Sequence, residues 1–278
     1  ASDVYKRQCH YCGFRMPEPD KCPACGSKLI GGYGVGTEKV EQEVHRLFPE
    51  ARTLRMDRDT TSKKNSHEQI LESFGRGDAD ILIGTQMIVK GHDFSRVTLV
   101  GVLLADLTLF SGDYRAGERT FDLLTQAAGR AGRGDVPGKV VIQTYKPDNY
   151  AITAAASQDY RAFYDIEEAY RSLMRYPPEW NMMVIMGTGM DEEQLANIMD
   201  RMYSLIRGKY INAGHLSVIG PSEPAISKIK DVYRRVLYIK HRDYRMLVDV
   251  KDYVEEWLKE NGENDVSVFF DLNPVNMY

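Results

Sequence analysis

Long apolar runs are missing from this sequence of 278 residues. None approaches the ~20 residues that a membrane-crossing helix needs, so no segment reads as a helical span. The opening Ala1–Gln8 has no apolar stretch and does not read as a secretion signal. An excess of one charge is missing too: 36 Lys and Arg against 40 Asp and Glu leave a formal net charge of -4. No overall field draws the chain to nucleic acid, so any such binding must use local patches. Cysteine is scarce and confined, with all four residues between positions 9 and 25. A disulfide framework would spread them through a secreted fold, so a reducing, cytoplasmic compartment is expected. The glycine-rich stretch Leu29–Gly36 is not followed by Gly-Lys-Ser/Thr, so it does not read as a phosphate-cradling loop.

What is present starts with the cysteines. Cys9, Cys12, Cys22 and Cys25 form C-x2-C-x9-C-x2-C, two knuckles that each aim a pair of thiolates at one point. Tetrahedral zinc needs four such ligands, and redox or unligated thiols are the competing reading. Downstream, strands and helices alternate. Val40, Val44, Leu47 and Phe48 mark a helix opened by Thr37, which is expected to cap it. Short apolar runs at Thr53–Asp57, Asp80–Thr85, Val97–Leu104 and Lys139–Thr144 read as strands. The pattern predicts a parallel sheet covered on both faces. Ligands on such sheets gather at the carboxyl ends of the strands, where Gly84-Thr85-Gln86, Asp106 and the helix Gly117–Arg133 are expected.

That helix ends in Gln126-Ala127-Ala128-Gly129-Arg130-Ala131-Gly132-Arg133. Two guanidiniums three residues apart reach the same side, and their donor forks match phosphate oxygens. Such a pair suits the growing charge of a transferring γ-phosphate. The plainer reading is a helix C-terminus with cations on its negative end. Thr85 and Gln86, just after a strand, suit a phosphate or a nucleic-acid backbone, or merely cap the crossover. Gly91 permits a turn that points Asp93 inward.

Tyr150–Tyr176 reads as a helical connector with Phe163, Ile166, Tyr170 and Leu173 along one face, closed by Pro177-Pro178. After it come strand Met182–Thr188, helix Glu192–Lys209, strands Leu216–Gly220 and Val232–His241, helix Tyr244–Glu260 and strand Val266–Leu272, the β-α-β-β-α-β order of the ferredoxin-like split arrangement. Asp191-Glu192-Glu193-Gln194 reads as a helix start whose acids complement the dipole. Lys228, Lys230, Arg234, Arg235, Lys240, Arg242 and Arg245 crowd one hairpin, with Tyr233 and Tyr238 between them. Cations and aromatic faces suit DNA or RNA; a charged, protected sheet edge is the alternative.

Taken together, Gly84-Thr85-Gln86-Met87 with Lys90-Gly91 and Asp93-Phe94 resembles helicase motif V, and Glu118–Arg133 resembles motif VI. With the knuckles upstream, and Asp57-Arg58-Asp59-Thr60-Thr61 between, the chain is similar to the primosomal replication-restart helicases of superfamily 2. The resemblance implies a partial zinc module (1–30), a RecA-like helicase lobe 2 (31–149), a connector (150–178) and a C-terminal α+β domain (179–278). It implies that Arg130 and Arg133 contact ATP phosphates, with Gln126 nearby. Gly91, Asp93 and Gly129 would couple nucleotide state to DNA position. Thr85, Gln86, Lys228, Lys230 and Arg234 would contact DNA. Implied partners are forked and single-stranded DNA, a single-stranded DNA-binding protein and other primosome proteins, in a bacterial, nucleoid-associated setting. The activity implied is ATP-dependent 3′–5′ unwinding at stalled forks, leading to primosome assembly. The chain carries neither a Walker A lysine nor a DExH box, so ATP and Mg²⁺ are expected only with a first lobe, and the chain alone is expected not to hydrolyse ATP. The family pairs its zinc cysteines with two further C-x2-C pairs, so a site built from the four present departs from the family pattern.

Overall fold

The computed structural model describes residues 6–8, 15–17, 21, 26–28, 36–57, 59–61, 66–89, 94, 96–132, 136–210, 212, 214–262 and 265–277. The chain divides into two compact units. One holds residues 30–110 and 117–163, the other residues 1–29, 111–116 and 164–278. Strands β1 (Lys6–Gln8) and β2 (Arg15–Pro17) pair antiparallel at the start of the chain.

The first unit alternates as the apolar runs predict. It contains α1 (Thr37–Leu47), β3 (Thr53–Met56), α2 (Ser66–Arg76) and β4 (Ile81–Gly84). A 3-10 turn over Gln86–Val89 leads on to β5 (Leu99–Val102), α3 (Asp106–Leu109), α4 (Ala116–Ala128) and β6 (Lys139–Ile142). Among the described residues the four strands form two parallel pairs, β3 with β4 and β5 with β6. The expected cover on both faces is not found on β5–β6. Both strands alternate exposed with half-buried residues, and Leu99 (61% exposed) and Val141 (49%) face outward. The run Val97–Leu104 is apolar at both parities; among the described residues, Val102 of β5 and Ile142 of β6 pack against a partner layer. That layer is Phe121 and Leu124 of α4 with the alanines of α5 (Tyr150–Ser157) and Phe163. Alanine lets α5 approach closely, and Phe163 stacks on Phe121 at 4.3 Å.

The single connector helix read from the sequence is two helices. Gln158 takes a left-handed φ of 55° and returns its N–H to Ala154 and Ala155, which ends α5. Asp159 then caps the next helix through the N–H of Ala162 at 2.9 Å. That helix is α6 (Tyr160–Met174). Phe163 is buried, but Ile166, Tyr170 and Leu173 are exposed rather than sharing its face.

The second unit is built on β7 (Asn181–Gly189), α7 (Glu192–Tyr210), β8 (Ser217–Ser222), β9 (Lys228–Ile229), β10 (Val232–His241), α8 (Tyr244–Asn261) and β11 (Val266–Leu272). The sheet order is β11-β7-β10-β8, each neighbour antiparallel, with β9 folded back on β10. Asp191 caps α7 through the N–H of Gln194 at 3.0 Å, so the acidic string opens a helix, as its dipole argument predicts. Helices α7 and α8 cover one face: Leu195, Ile198, Met199 and Met202 with Leu247, Val250 and Val254 bury Met183, Ile185, Leu237 and Ile239. Gly187 permits this approach, because a Cβ there would sit 2.6 Å from the Met199 sulfur. The opposite face, Met182, Val184, Val236 and Tyr238, is closed by Tyr114 and Tyr176, whose rings stack at 5.1 Å. Among the described residues no helix is long and apolar enough to cross a membrane.

Candidate functional site

Helix α4 turns Phe121, Leu124 and Ala127 inward at helical spacing and leaves Gln126 exposed. It stops at Ala128, five residues short of the expected Arg133. Gly129 still bonds back to Thr125 (2.9 Å), but Arg130 and Ala131 tighten to Ala127 and Ala128 at 3.1 and 3.4 Å. Arg130 is therefore presented half-buried on a tight turn rather than on the helix. Arg133 lies outside the described residues, as do Gly91 and Asp93.

Two glycines pin this turn. Gly132 has φ of 75° and donates its N–H to Val97 at 3.0 Å. A Cβ on Gly132 would overlap the Gly138 amide, and a Cβ on Gly138 would overlap the backbone of Ala131 and Gly132. Lys139 then donates to Thr98 at 2.8 Å and opens the β5–β6 pairing. The arginine turn therefore sits at the amino ends of β5 and β6, not at the carboxyl ends where the sequence placed it. The crossover helix α4 must run back along the strands to reach the start of β6, which carries its C-terminus to that end.

Asp106 marks the other end. Buried at 4% exposure, it accepts from the Thr144 hydroxyl (2.8 Å) and the Tyr145 N–H (2.9 Å) just beyond β6. It ties two strand ends together and stands about six residues, or ~20 Å, along the strands from the arginine turn.

At the carboxyl ends of β3 and β4 the register puts Met56 beside Gly84. A Cβ on Gly84 would lie 2.5 Å from the Met56 carbonyl oxygen, so only glycine allows this approach. The chains that leave there carry Asp57 and Thr85. Thr85 and Gln86 are exposed, and Thr85 accepts from Ile88 at 3.1 Å in the 3-10 turn. Asp57 organises its surroundings. Its carboxylate accepts from the Thr37 hydroxyl (2.6 Å) and the N–H groups of Asp59 (3.0 Å) and Thr60 (2.9 Å), and pairs with Arg55 at 2.9 Å. The Thr37 hydroxyl first, then the Thr60 N–H, hold this carboxyl down at about 2, against burial. Thr37 was expected to cap the helix. In the structure Gly36 occupies the cap position and the Thr37 hydroxyl reaches across 20 residues to Asp57 instead.

A depressed carboxyl pKa stabilises the fold above the ordinary carboxylate value near 4, and that contribution is lost as pH falls through about 2. Replacing Thr37 by valine should raise the Asp57 pKa toward 4 and cost about 1 kcal/mol. Acid unfolding of the first unit should then begin at higher pH, while Thr37→Ser keeps both values. Carboxyl-carbon NMR titration of the three proteins measures this, and an unmoved Asp57 in Thr37→Val would refute the assignment.

The basic stretch of the second unit is not one patch. Strand β10 separates its members by about 30 Å. At one end, Lys230 and Asp231, with φ of 47° and 67°, form a two-residue turn between β9 and β10. Lys228 pairs with Asp231 at 3.1 Å, which raises its pKa, and lies 4.5 Å from the Tyr233 ring centroid. Arg234 folds onto its own loop, donating to the Ile226 carbonyl at 3.1 Å. Arg235 points to the other face, 3.9 Å from Glu192. Lys230 is the exposed cation at the tip. Lys240 is buried, donating to the Met174 carbonyl at 3.1 Å beneath the Tyr176 ring. Burial first, then Arg175, push its pKa down to about 7. Arg242 lies at the far end, over Trp180. Cys9, Cys12, Cys22 and Cys25 lie outside the described residues.

Sequence reasoning missed the Asp57 hub and the Gly132–Gly138 crossing. Asp57-x-Asp59-Thr60 is an acceptor followed by turn-forming residues, which was the available signal for the first. Nothing in the spacing of Gly132 and Gly138 announces the second.

Residues 36–135 match the family model for the helicase conserved C-terminal domain, and residues 172–275 match the primosomal protein N C-terminal domain. Among curated proteins, the Bacillus subtilis (strain 168) replication restart protein PriA is 43% identical over 272 residues, 97% of this chain and 33% of the relative. The Chlamydia trachomatis and Synechocystis proteins of the same name are 38% and 35% identical, over 97% of this chain and 36% and 32% of their own lengths. The chain thus spans about a third of the length of the curated relatives it matches.

Proposed function

Because this chain is a homologue, over nearly all of its length, of about a third of the PriA replication restart proteins, we propose that it supplies the second motor lobe and the C-terminal domain of an ATP-dependent 3′–5′ DNA helicase. That enzyme recognises stalled or branched forks and restarts replication by primosome assembly. The observation that carries the reading is the Gly129–Gly132 turn. A glycine-pinned turn presents Arg130 four residues after the exposed Gln126, within the stretch that matches a helicase domain. Rigid placement is what an arginine that meets a transferring phosphoryl group requires.

In this reading Arg130 and Arg133 meet ATP phosphates supplied by another lobe, and Gln126 lies beside them. Gly129 keeps the approach open, and Gly91 and Asp93 couple the nucleotide to DNA. Thr85 and Gln86 contact the DNA backbone. ATP and Mg²⁺ require a phosphate-binding loop that this sequence does not carry. Cys9, Cys12, Cys22 and Cys25 are a thiolate set suited to Zn²⁺, which supplies a structural clamp when bound. The second unit is assigned the ferredoxin-like fold and faces forked or single-stranded DNA, a single-stranded DNA-binding protein and other primosome proteins. The setting is the bacterial cytoplasm.

A second reading makes the chain a DNA- and protein-binding module on a RecA-like scaffold without an ATPase of its own. The exposed Lys230 tip favours it. Lys230→Ala should weaken fork binding severalfold and lower the salt slope by about one. Lys228→Ala should change little, because Asp231 already neutralises that cation. Fluorescence anisotropy at several salt concentrations measures both, and an unchanged slope in Lys230→Ala counts against the tip as a DNA contact. The motor reading itself is tested by joining the chain to the complementary two thirds of the Bacillus subtilis relative and measuring fork-stimulated ATP hydrolysis.

A further inference from the structure

Trp180 is only 5% exposed, although charged side chains surround it. The Arg175 guanidinium lies 5.0 Å from its ring centroid and the Arg242 guanidinium 5.4 Å, while the His215 ring meets its edge at 6.4 Å. The two guanidiniums are therefore within about 10 Å of each other, a Debye length at ordinary salt. Both arginines are exposed, and among the described residues neither has a carboxylate partner. The nearest acids in sequence are Glu179, which is exposed, and Asp243, whose carboxylate is occupied by the Arg245 N–H at the start of α8 (2.9 Å). The backbone holds the pair in place. Asn181 donates to the Arg242 carbonyl at 2.8 Å and is itself held by Asn273 at 3.1 Å. The neighbouring His241 ring joins the Gly214 carbonyl (3.1 Å) and accepts the Asp243 N–H (3.0 Å). Arg175 ends α6 with φ of 58°, where glycine would carry no strain, and the Tyr176 N–H returns to Arg171 at 2.8 Å across that bend. Strain of this kind persists where the placement of a side chain matters. A cation on the C-terminal end of α6, or a cover that keeps Trp180 dry, is the plainer role. A helix end asks for charge but not for a left-handed arginine, and methionine would cover the indole as well.

We propose that Arg175 and Arg242, braced on Trp180, form a binding site for the phosphodiester backbone of DNA, separate from the Lys230 tip at the other end of β10. The proposal rests on the DNA-binding reading above and adds a site to it. Two guanidinium forks without acidic partners match phosphate oxygens. Phosphates of one strand advance about 3.4 Å each along a duplex axis, so a strand presents about three charges across the pair. Trp180 is already covered, so no base can stack on it, and the contact reads charge rather than sequence. An acidic peptide offers similar charge, but the one large aromatic at this site is closed to an apolar anchor.

The test is fluorescence anisotropy of the chain with a forked DNA and with a plain duplex, at several salt concentrations. Arg175→Met and Arg242→Met keep an apolar cover on Trp180 and remove one cation each. Each should weaken binding to both probes severalfold and lower the salt slope by about one, and the double variant should lower it by about two. Melting temperatures should stay at the parental value. Arg175→Gly should lose the same binding and melt no lower than the parent, since it relieves the left-handed residue. Melting temperatures that fall in all three single variants while the salt slope stays parental make the pair a structural cover and overturn the proposal. So does a hexa-aspartate peptide whose binding needs both arginines when DNA binding does not, which makes a protein acid the ligand. A parent chain that binds neither DNA overturns it as well. Fork preference keeps the two ideas apart. Fork-preferring binding that is indifferent to both arginines defeats the site and leaves the fork reading standing. Arginine-dependent binding of equal strength on fork and duplex supports the site and counts against fork recognition.

Discussion

Arg130→Ala in the joined protein should lower fork-stimulated ATP turnover by about a thousandfold, roughly 4 kcal/mol of transition-state stabilisation, with fork affinity unchanged. The expected size follows from what a guanidinium does beside a transferring phosphoryl group: it meets charge that exists only in the transition state. The chain alone, without a phosphate-binding loop, should show no turnover in either form. The competing role for Arg130 is structural, a cation on the C-terminal end of α4 worth about 0.3–1 kcal/mol. Arg130→Lys separates the two. Lysine keeps the charge on the helix end and so keeps stability, but it lacks the planar fork of donors. The motor reading therefore predicts that Arg130→Lys melts like the parent and turns over nearly as poorly as Arg130→Ala. Turnover that survives in Arg130→Lys at the parental rate would leave only the helix-end role.

The order of elements was legible because each carries its own period. Val232–His241 and Val266–Leu272 appear with the bounds read from the sequence, and α7 and α8 lie within one residue of theirs at each end. The helices bury one face and the strand Val232–His241 buries both, Leu237 and Ile239 under the helices and Val236 and Tyr238 opposite, and burial writes itself into residue spacing. The arginine turn was misplaced in space. Spacing shows that two guanidiniums share a side; it does not show which end of a strand pair a crossover helix reaches. The basic stretch was legible in part. Strand alternation puts Arg234 and Arg235 on opposite faces, and the structure sends one to the Ile226 carbonyl and the other toward Glu192; the string does not show that the strand spreads the seven cations over about 30 Å. Lys240 then ends up under Tyr176, where a string of cations gives no hint of burial. Phe163, Ile166, Tyr170 and Leu173 were read along one face of the connector, but Phe163 is buried while the other three are exposed; a helix carrying a buried ion pair, Glu167 with Arg171, is not oriented by its apolar spacing alone.

Gly138→Ala should be strongly damaging to the first unit. Its Cβ would enter the backbone of Ala131 and Gly132, where no flexible side-chain end can move aside. The two crossing segments must part, at a cost of about 1–3 kcal/mol. Parting them also breaks the Gly132–Val97 bond that fixes the arginine turn to the start of β5. The melting transition of the first unit should fall by roughly 5–10 °C. Turnover of the joined protein should fall by more than the lost stability explains, since a displacement of about 1 Å at a reacting group costs on the order of a hundredfold. Gly101→Ala is the matched control. It places the same methyl group in β5, in the same unit, with open space around it, and should change neither quantity. Calorimetry on both variants, followed by turnover at a temperature where each is folded, separates displacement from unfolding. If Gly138→Ala melts and turns over like Gly101→Ala, the crossing does not hold the arginine turn. The placement of Arg130 would then have to come from α4 alone.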